Sequence, residues 1–238
     1  MKIVVCLHAP RGGRPDGEAP PATAPLGADD AHALSLALGL GAAHTVTALL
    51  AGPPADEWPL RRALAAGAAR AVRLVGEDFA AADFHTLGQS LGTAVKRVGA
   101  DLVLTGARAE DDGLGAVPAS IARHAGGLHV AYVESLAPAG DDAAQAVEVT
   151  VRGGGKRRRL RVPLPAVLSI VASGPTPPSL PSAPEGAKPP AVEVLSLVDP
   201  EATVVRRRTE LLGQPELPTR PSEDAASAAA LVETLVKP

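Results

Sequence analysis

The strongest constraint on this chain is a set of short, almost wholly apolar runs spaced by segments of helical period. Lys2-Ile-Val-Val-Cys-Leu7 is the first, and His44-Thr-Val-Thr-Ala-Leu-Leu50, Ala71-Val-Arg-Leu-Val75 and Asp101-Leu-Val-Leu-Thr105 follow. A run of this length with no polar alternation suits a strand covered on both faces. The intervening segments read as helices. Asp29-Asp30 precede the apolar stretch 31–39 and serve there as an N-cap. Residues 59–69 place Leu60 and Leu64 four apart, and residues 84–98 line up Leu87, Leu91, Ala94, Val95 and Val98 on one face. Strands alternating with helices make right-handed parallel βαβ units, with helices on both faces of one sheet. The fold class is therefore α/β, a mostly parallel doubly wound sheet of Rossmann-like type.

The pattern changes after residue 130. A further strand fits 131–136. Residues 145–152 and 159–162 alternate on either side of Gly153-Gly-Gly155, which predicts a β-hairpin. The basic run 156–159 beside these glycines is read as a solvated hairpin turn. Ala166-Val-Leu-Ser-Ile-Val171 is apolar throughout and predicts a central strand, and 192–197 an edge strand. Residues 174–190 are dominated by Pro, Ser, Ala and Gly and predict an extended loop, and 223–236 a short helix. Two parts follow: a core with its hairpin over 1–172, and a Pro-rich loop with an extended C-terminal arm over 173–238.

Composition removes several functions. A net charge of −3 gives no global case for nucleic acid or an anionic membrane, and 2% aromatic residues leave little for stacking on single strands. The single cysteine, Cys6, excludes an intramolecular disulfide and follows apolar strand residues, so a core role is its default. No apolar run approaches the ~20 residues of a membrane helix, and the chain opens on a strand without a signal segment. A soluble, cytoplasmic protein is the expectation. None of the six histidines forms a helical pair at metal-ligand spacing, and no nucleophile elbow is present.

In an open parallel sheet, ligands bind beyond the carboxyl ends of the strands. The candidates are His8 and Ala9 after the first strand, Gly52 after the second, and the stretch 106–117 after the fourth. That stretch offers Gly106, Arg108, Asp111, Asp112, Gly113, Gly115, Ala116 and Val117. Glycines admit a close backbone approach, and a helix N-terminus attracts phosphate. Pro118 suits the first turn of that helix. Glu110, Asp111 and Asp112 oppose phosphate with their own charge and also read as caps. The pattern matches neither the dinucleotide fingerprint nor the P-loop.

Taken in order, these pieces resemble the β subunit of electron transfer flavoproteins, from the N-terminus to about residue 200. The residues that carry the resemblance are Ile3 to His8, Asp29, Gly52-Pro53, the run RRALAAGAARAVRL from Arg61, DLVLTGARAEDDG from Asp101, LPAVLS from Leu164 and Ser179-Leu180-Pro181. The resemblance implies a heterodimer with an α subunit that holds most of a redox-active FAD. It implies AMP, or in bifurcating relatives a second FAD, in the cleft of this chain. It also implies electrons taken from a flavin dehydrogenase, which Leu180 would contact, and passed to a quinone reductase or similar acceptor. The chain departs from the family where Leu114-Gly-Ala-Val-Pro118 replaces Asn-Gln-Thr-Gly-Gln, where Ala107 replaces a lysine, and where an Asn-Pro-Phe element is absent. Two alternatives stand beside it: a self-standing adenine-nucleotide-binding α/β protein, and a non-redox scaffold subunit that has lost its nucleotide.

Overall fold

A computed structural model describes residues 1–10, 25–75, 79, 82–109, 113, 115–140, 145–172, 180 and 191–196. The readings of Asp111, Asp112 and the C-terminal helix lie outside the described residues. Strand β1 (Lys2–Cys6) is followed by α1 (Ala28–Gly39), β2 (Thr45–Ala51), α2 (Trp58–Ala65), β3 (Arg70–Val75), α3 (Phe84–Val98), β4 (Leu102–Gly106) and α4 (Val117–Ala125). The second half supplies β5 (Leu128–Pro138), β6 (Ala146–Gly153), β7 (Lys156–Pro163), β8 (Ala166–Ile170) and β9 (Glu193–Ser196). The described strands form one sheet in the order β7-β6-β5-β8-β4-β1-β2-β3-β9. All neighbours pair in parallel except β5-β6 and β6-β7.

The apolar runs form strands because both of their faces are covered. Ile3 and Val5 of β1 join one core cluster with Ala31, Leu34, Leu60 and Ala63 from α1 and α2. Val4 and Cys6 point the other way, into a second cluster with Leu91, Ala94, Val95 and Ile121 from α3 and α4. Alternation of period two along one strand thus feeds two helical layers. Burial pushes the Cys6 thiol up, so it is a packing group, as read from the sequence.

Several boundaries move. Helix α1 starts at Ala28 with Gly27 as its N-cap and no side-chain cap, so Asp29 and Asp30 lie within its first turn rather than before it. Helix α2 ends at Ala65, before Gly67, whose φ is +110°. The basic run falls on strand β7, because Gly154 and Gly155 alone make the turn, with φ of +56° and +71°. Two successive positive φ values define the tight turn that matches strand twist, and glycine adopts them without a Cβ penalty. Strand β5 is longer than expected and bulged; Tyr132 sits at φ +57° between the residues paired with β8.

Strand β9 extends the far edge of the sheet beside β3. Arg70 donates both Nε and Nη2 to the Glu193 carboxylate, at 2.8 and 2.7 Å. Both side chains are about half exposed. Such a pair contributes little in water, so Glu193→Gln is expected to lower stability by less than about 1 kcal/mol in a urea titration.

Candidate functional site

The order of the strands places the site. From β1 the chain moves outward through β2 and β3, then returns across the sheet to β4 on the other side of β1. Strands β1 and β4 are therefore the topological switch point, and a crevice opens beyond their carboxyl ends. It is a cleft of about 240 Å³ lined by His8 and Pro10 after β1, Gly27, Ala28, Asp29 and Asp30 at the start of α1, and Arg108, Ala109 and Gly113 after β4.

The two aspartates hold this edge together. Asp30 is buried, with 8% of its surface exposed. The backbone N–H of His8 donates to its Oδ2 at 2.8 Å, and that of Gly106 to its Oδ1 at 3.1 Å. One carboxylate therefore ties the end of β1 to the end of β4. Asp29 extends the tie, since its Oδ1 accepts from the N–H of Ala172, just past β8, at 2.8 Å. Burial, opposed by these hydrogen bonds, raises the pKa of Asp30 to about 6.

Gly106 is needed here by close approach, since a Cβ at this position would lie 2.5 Å from Asp30 Oδ1. Gly115 meets a similar limit, with a virtual Cβ 2.8 Å from the carbonyl oxygen of Ala107. The chain thus folds back on itself between β4 and α4. Helix α4 opens at Ala116 without a side-chain cap, and Pro118 sits in its first turn. Its leading N–H groups, Val117 among them, have no intrahelical acceptor and face outward from the helix end.

The structure brings His8, Arg108 and Gly113 together around one cleft, as the sequence reading expected. Gly52 is at the end of β2 and is not among the residues that line the cleft. Its carbonyl accepts from Arg73 Nη1 at 3.1 Å, and Arg73 Nε pairs with Glu57 at 2.8 Å. Ala9, Gly106, Gly115, Ala116 and Val117 are not among the lining residues. The sequence reading left Asp29 and Asp30 out of the site. Their visible signals were the adjacency of two acids at a helix start, which also describes a cap, and, for Asp29, its place in the family resemblance. Leu180 packs in the first core cluster, and its carbonyl accepts from Arg62 Nη2 at 3.1 Å.

The matching family model is the electron transfer flavoprotein domain, over residues 24–200. The chain belongs to the electron transfer flavoprotein family, as a β-type member. Its relatives carry names of that type. It is 36% identical over 149 residues to protein FixA of Azorhizobium caulinodans, covering 60% of this chain and 53% of the relative. It is 37% identical over 116 residues to the electron transfer flavoprotein subunit beta of Clostridium acetobutylicum, covering 48% and 44%. The subunit beta of Mycobacterium bovis is 31% identical over 140 residues, covering 55% and 48%. The matched part of the chain thus spans about half the length of these relatives. Among the described residues no helix is long and apolar enough to cross a membrane, and no group of three or more metal-ligating side chains gathers.

Proposed function

We propose that this chain is the β subunit of a heterodimeric electron transfer flavoprotein, and that its switch-point cleft holds the phosphate end of an adenine nucleotide. The observation that carries the reading is family membership together with Arg108 in the cleft lining and an α4 whose N-cap residue, Ala116, has no capping side chain and whose preceding Gly115 approaches Arg108. Free N–H groups at a helix start and a guanidinium suit a phosphate. The donor set fits AMP or the diphosphate of FAD without the polar side chains the family carries at 114–118, because the backbone donors remain. Asp29 and Asp30 bring negative charge to the same lining, which neighbouring backbone N–H groups offset in part. Both oxygens of Asp30 and one of Asp29 are already engaged by strand-end N–H groups.

In this account the α subunit holds most of the redox-active FAD, which supplies the one- and two-electron chemistry, while this chain supplies a rigid edge against which the partner seats. Electrons would arrive from a flavin dehydrogenase and leave to a quinone reductase or similar acceptor. A dehydrogenase contact through Leu180 requires that side chain to leave its packed position, where only 8% of it is exposed. The setting proposed is the cytoplasm.

The test is co-expression with the α-subunit gene encoded nearest to this one and purification through a tag on this chain. A 1:1 complex with a flavin absorption spectrum supports the reading. A colourless lone chain favours the nucleotide-binding or scaffold alternatives. In the complex, Gly115→Ala is expected to lower the content of the second nucleotide at least several-fold, because its Cβ would press on the Ala107 carbonyl at 2.8 Å and displace the loop. The check is chromatography of the nucleotides released on denaturation.

A further inference from the structure

The ionisable groups at the switch point do not balance. The cleft lining carries two carboxyls, Asp29 and Asp30, one guanidinium, Arg108, and the imidazole of His8. The neighbouring titratable groups among the described residues are Cys6 of β1, whose thiol feels the charge of Asp30, and Asp56 of the turn Pro54–Glu57, which feels that of His8. His32, on the same helix as Asp30, is engaged elsewhere, with its Nε2 at 3.0 Å from the Glu134 carbonyl oxygen. From the end of β8 comes a backbone N–H, that of Ala172, which Asp29 accepts. A cleft of about 240 Å³ sets whatever it holds close to its lining. A diphosphate would bring two further negative charges to two carboxyls and one arginine.

Asp30 is the group placed to relieve this excess. It is buried, whereas Asp29 beside it is partly exposed. Water screens a buried carboxylate poorly, so a second anion nearby raises the cost of its charge. Burial first, and Asp29 in addition, already raise its pKa to about 6, against the lowering by the His8 and Gly106 N–H groups and the nearby imidazole. The carboxyl also has room for a proton. Each of its oxygens carries two lone pairs, and one N–H group reaches each oxygen, from His8 at 2.8 Å and from Gly106 at 3.1 Å. A proton on a remaining lone pair keeps the tie between β1 and β4 and removes one negative charge from the cleft.

We propose that phosphate binding in this cleft takes up a proton, held by Asp30, so that the cleft grips a diphosphate more tightly as pH falls. The inference rests on the nucleotide reading above and adds its regulation. In the free chain Asp30 gives up its proton as pH rises through about 6. With a diphosphate in the cleft the loss moves to higher pH, because the two negative charges repel. Between the two values each arriving ligand draws in a proton, and affinity falls as pH rises. Below the lower value the carboxyl is neutral in both states and affinity is flat. The same carboxyl that fastens the strand ends thereby sets the charge that the cleft presents to its ligand.

The test is titration calorimetry of the full chain with ADP-ribose. Its diphosphate is a diester of fixed charge over this range, whereas a phosphate monoester such as AMP itself titrates at about 6. The Kd is expected to rise at least about five-fold from pH 6 to pH 8, the change that an upward shift of one pKa unit on binding produces. Binding heats at pH 6.5 in two buffers of different ionisation heat should report net proton uptake. Asp30→Asn, with its fold checked by circular dichroism, should abolish that uptake. An imidazole can also take up a proton, so His8→Gln is the second variant, and uptake should persist in it. It decides between the two groups even where Asp30→Asn does not fold. Equal Kd at both pH values, no net uptake, uptake persisting in a folded Asp30→Asn, or uptake lost in His8→Gln would each overturn the proposal and leave the nucleotide reading standing. Absence of binding at both pH values would overturn the two together.

Discussion

Replacing both Gly88 and Gly92 with alanine is expected to lower stability by about 3 kcal/mol, since overpacking at one contact costs 1–3. The two glycines lie one turn apart on α3, where it meets α4. A Cβ at Gly88 would fall 2.2 Å from Cβ and Oγ of Ser120, and one at Gly92 would fall 2.7 Å from His124 Cβ and 2.9 Å from the Ile121 carbonyl. The obstruction is partly backbone, so a rotamer change cannot relieve it, and the helices must separate. Their separation would open the second core cluster beneath them. The two substitutions share one contact, so their costs should not add fully. For a chain of this size the loss corresponds to a fall in Tm of roughly 6–12 °C. Gly39→Ala is the control, because a Cβ there meets nothing within 4 Å. Thermal melts followed by circular dichroism decide it. A double variant melting within 2 °C of the parent, on the same scale, would show that α3 and α4 do not meet this closely.

Asp30→Ala carries the second large effect, and its sign depends on pH. The substitution orphans the N–H groups of His8 and Gly106, each costing about 1–3 kcal/mol if left buried and unpaired. Against this stands the burial of a carboxylate whose pKa is raised to about 6 in the folded chain, from an ordinary value of 3.8. A raised folded pKa means that the folded state binds more protons than the unfolded state over this interval. The contribution of Asp30 is therefore fully present below about pH 4 and lost as pH rises through about 6. The parent should lose stability between pH 4 and pH 7 through this group. Asp30→Ala should remove that part of the dependence, and its cost should be larger at pH 5 than at pH 8. Urea titrations of both chains at the two pH values measure this directly. Equal costs at both would show that Asp30 does not titrate in this window.

The parts of the fold that were legible in the sequence are those decided by local period. Strands such as Ile3 to Cys6 and Leu102 to Thr105 are apolar because both faces are covered, and that signature survives without knowledge of their neighbours. Helix α3 matched from Phe84 to Val98 because a capping aspartate at Asp83 and a left-handed glycine at Gly99 bracket its apolar face. The site was legible only in outline. The switch point follows from the order of the elements, so His8, Arg108 and Gly113 could be placed together. The tie made by Asp29 and Asp30 could not, because its partners Gly106 and Ala172 are distant in sequence and donate backbone N–H groups that carry no residue signature. Gly52 does not line the cleft, for a related reason. It ends a neighbouring strand, but the buried Arg73 claims its carbonyl. The arginine run was visible throughout; its position on the outermost of the described strands is a property of the pairing alone.

The most direct measurement is the nucleotide content of the heterodimer proposed for this chain, by chromatography of what is released on denaturation. The account predicts one FAD per heterodimer together with one further adenine nucleotide, AMP or a second FAD, for the cleft lined by His8, the start of α1 and Arg108. A heterodimer containing its FAD and no second nucleotide would contradict the cleft, and this chain would then serve the family fold without its nucleotide.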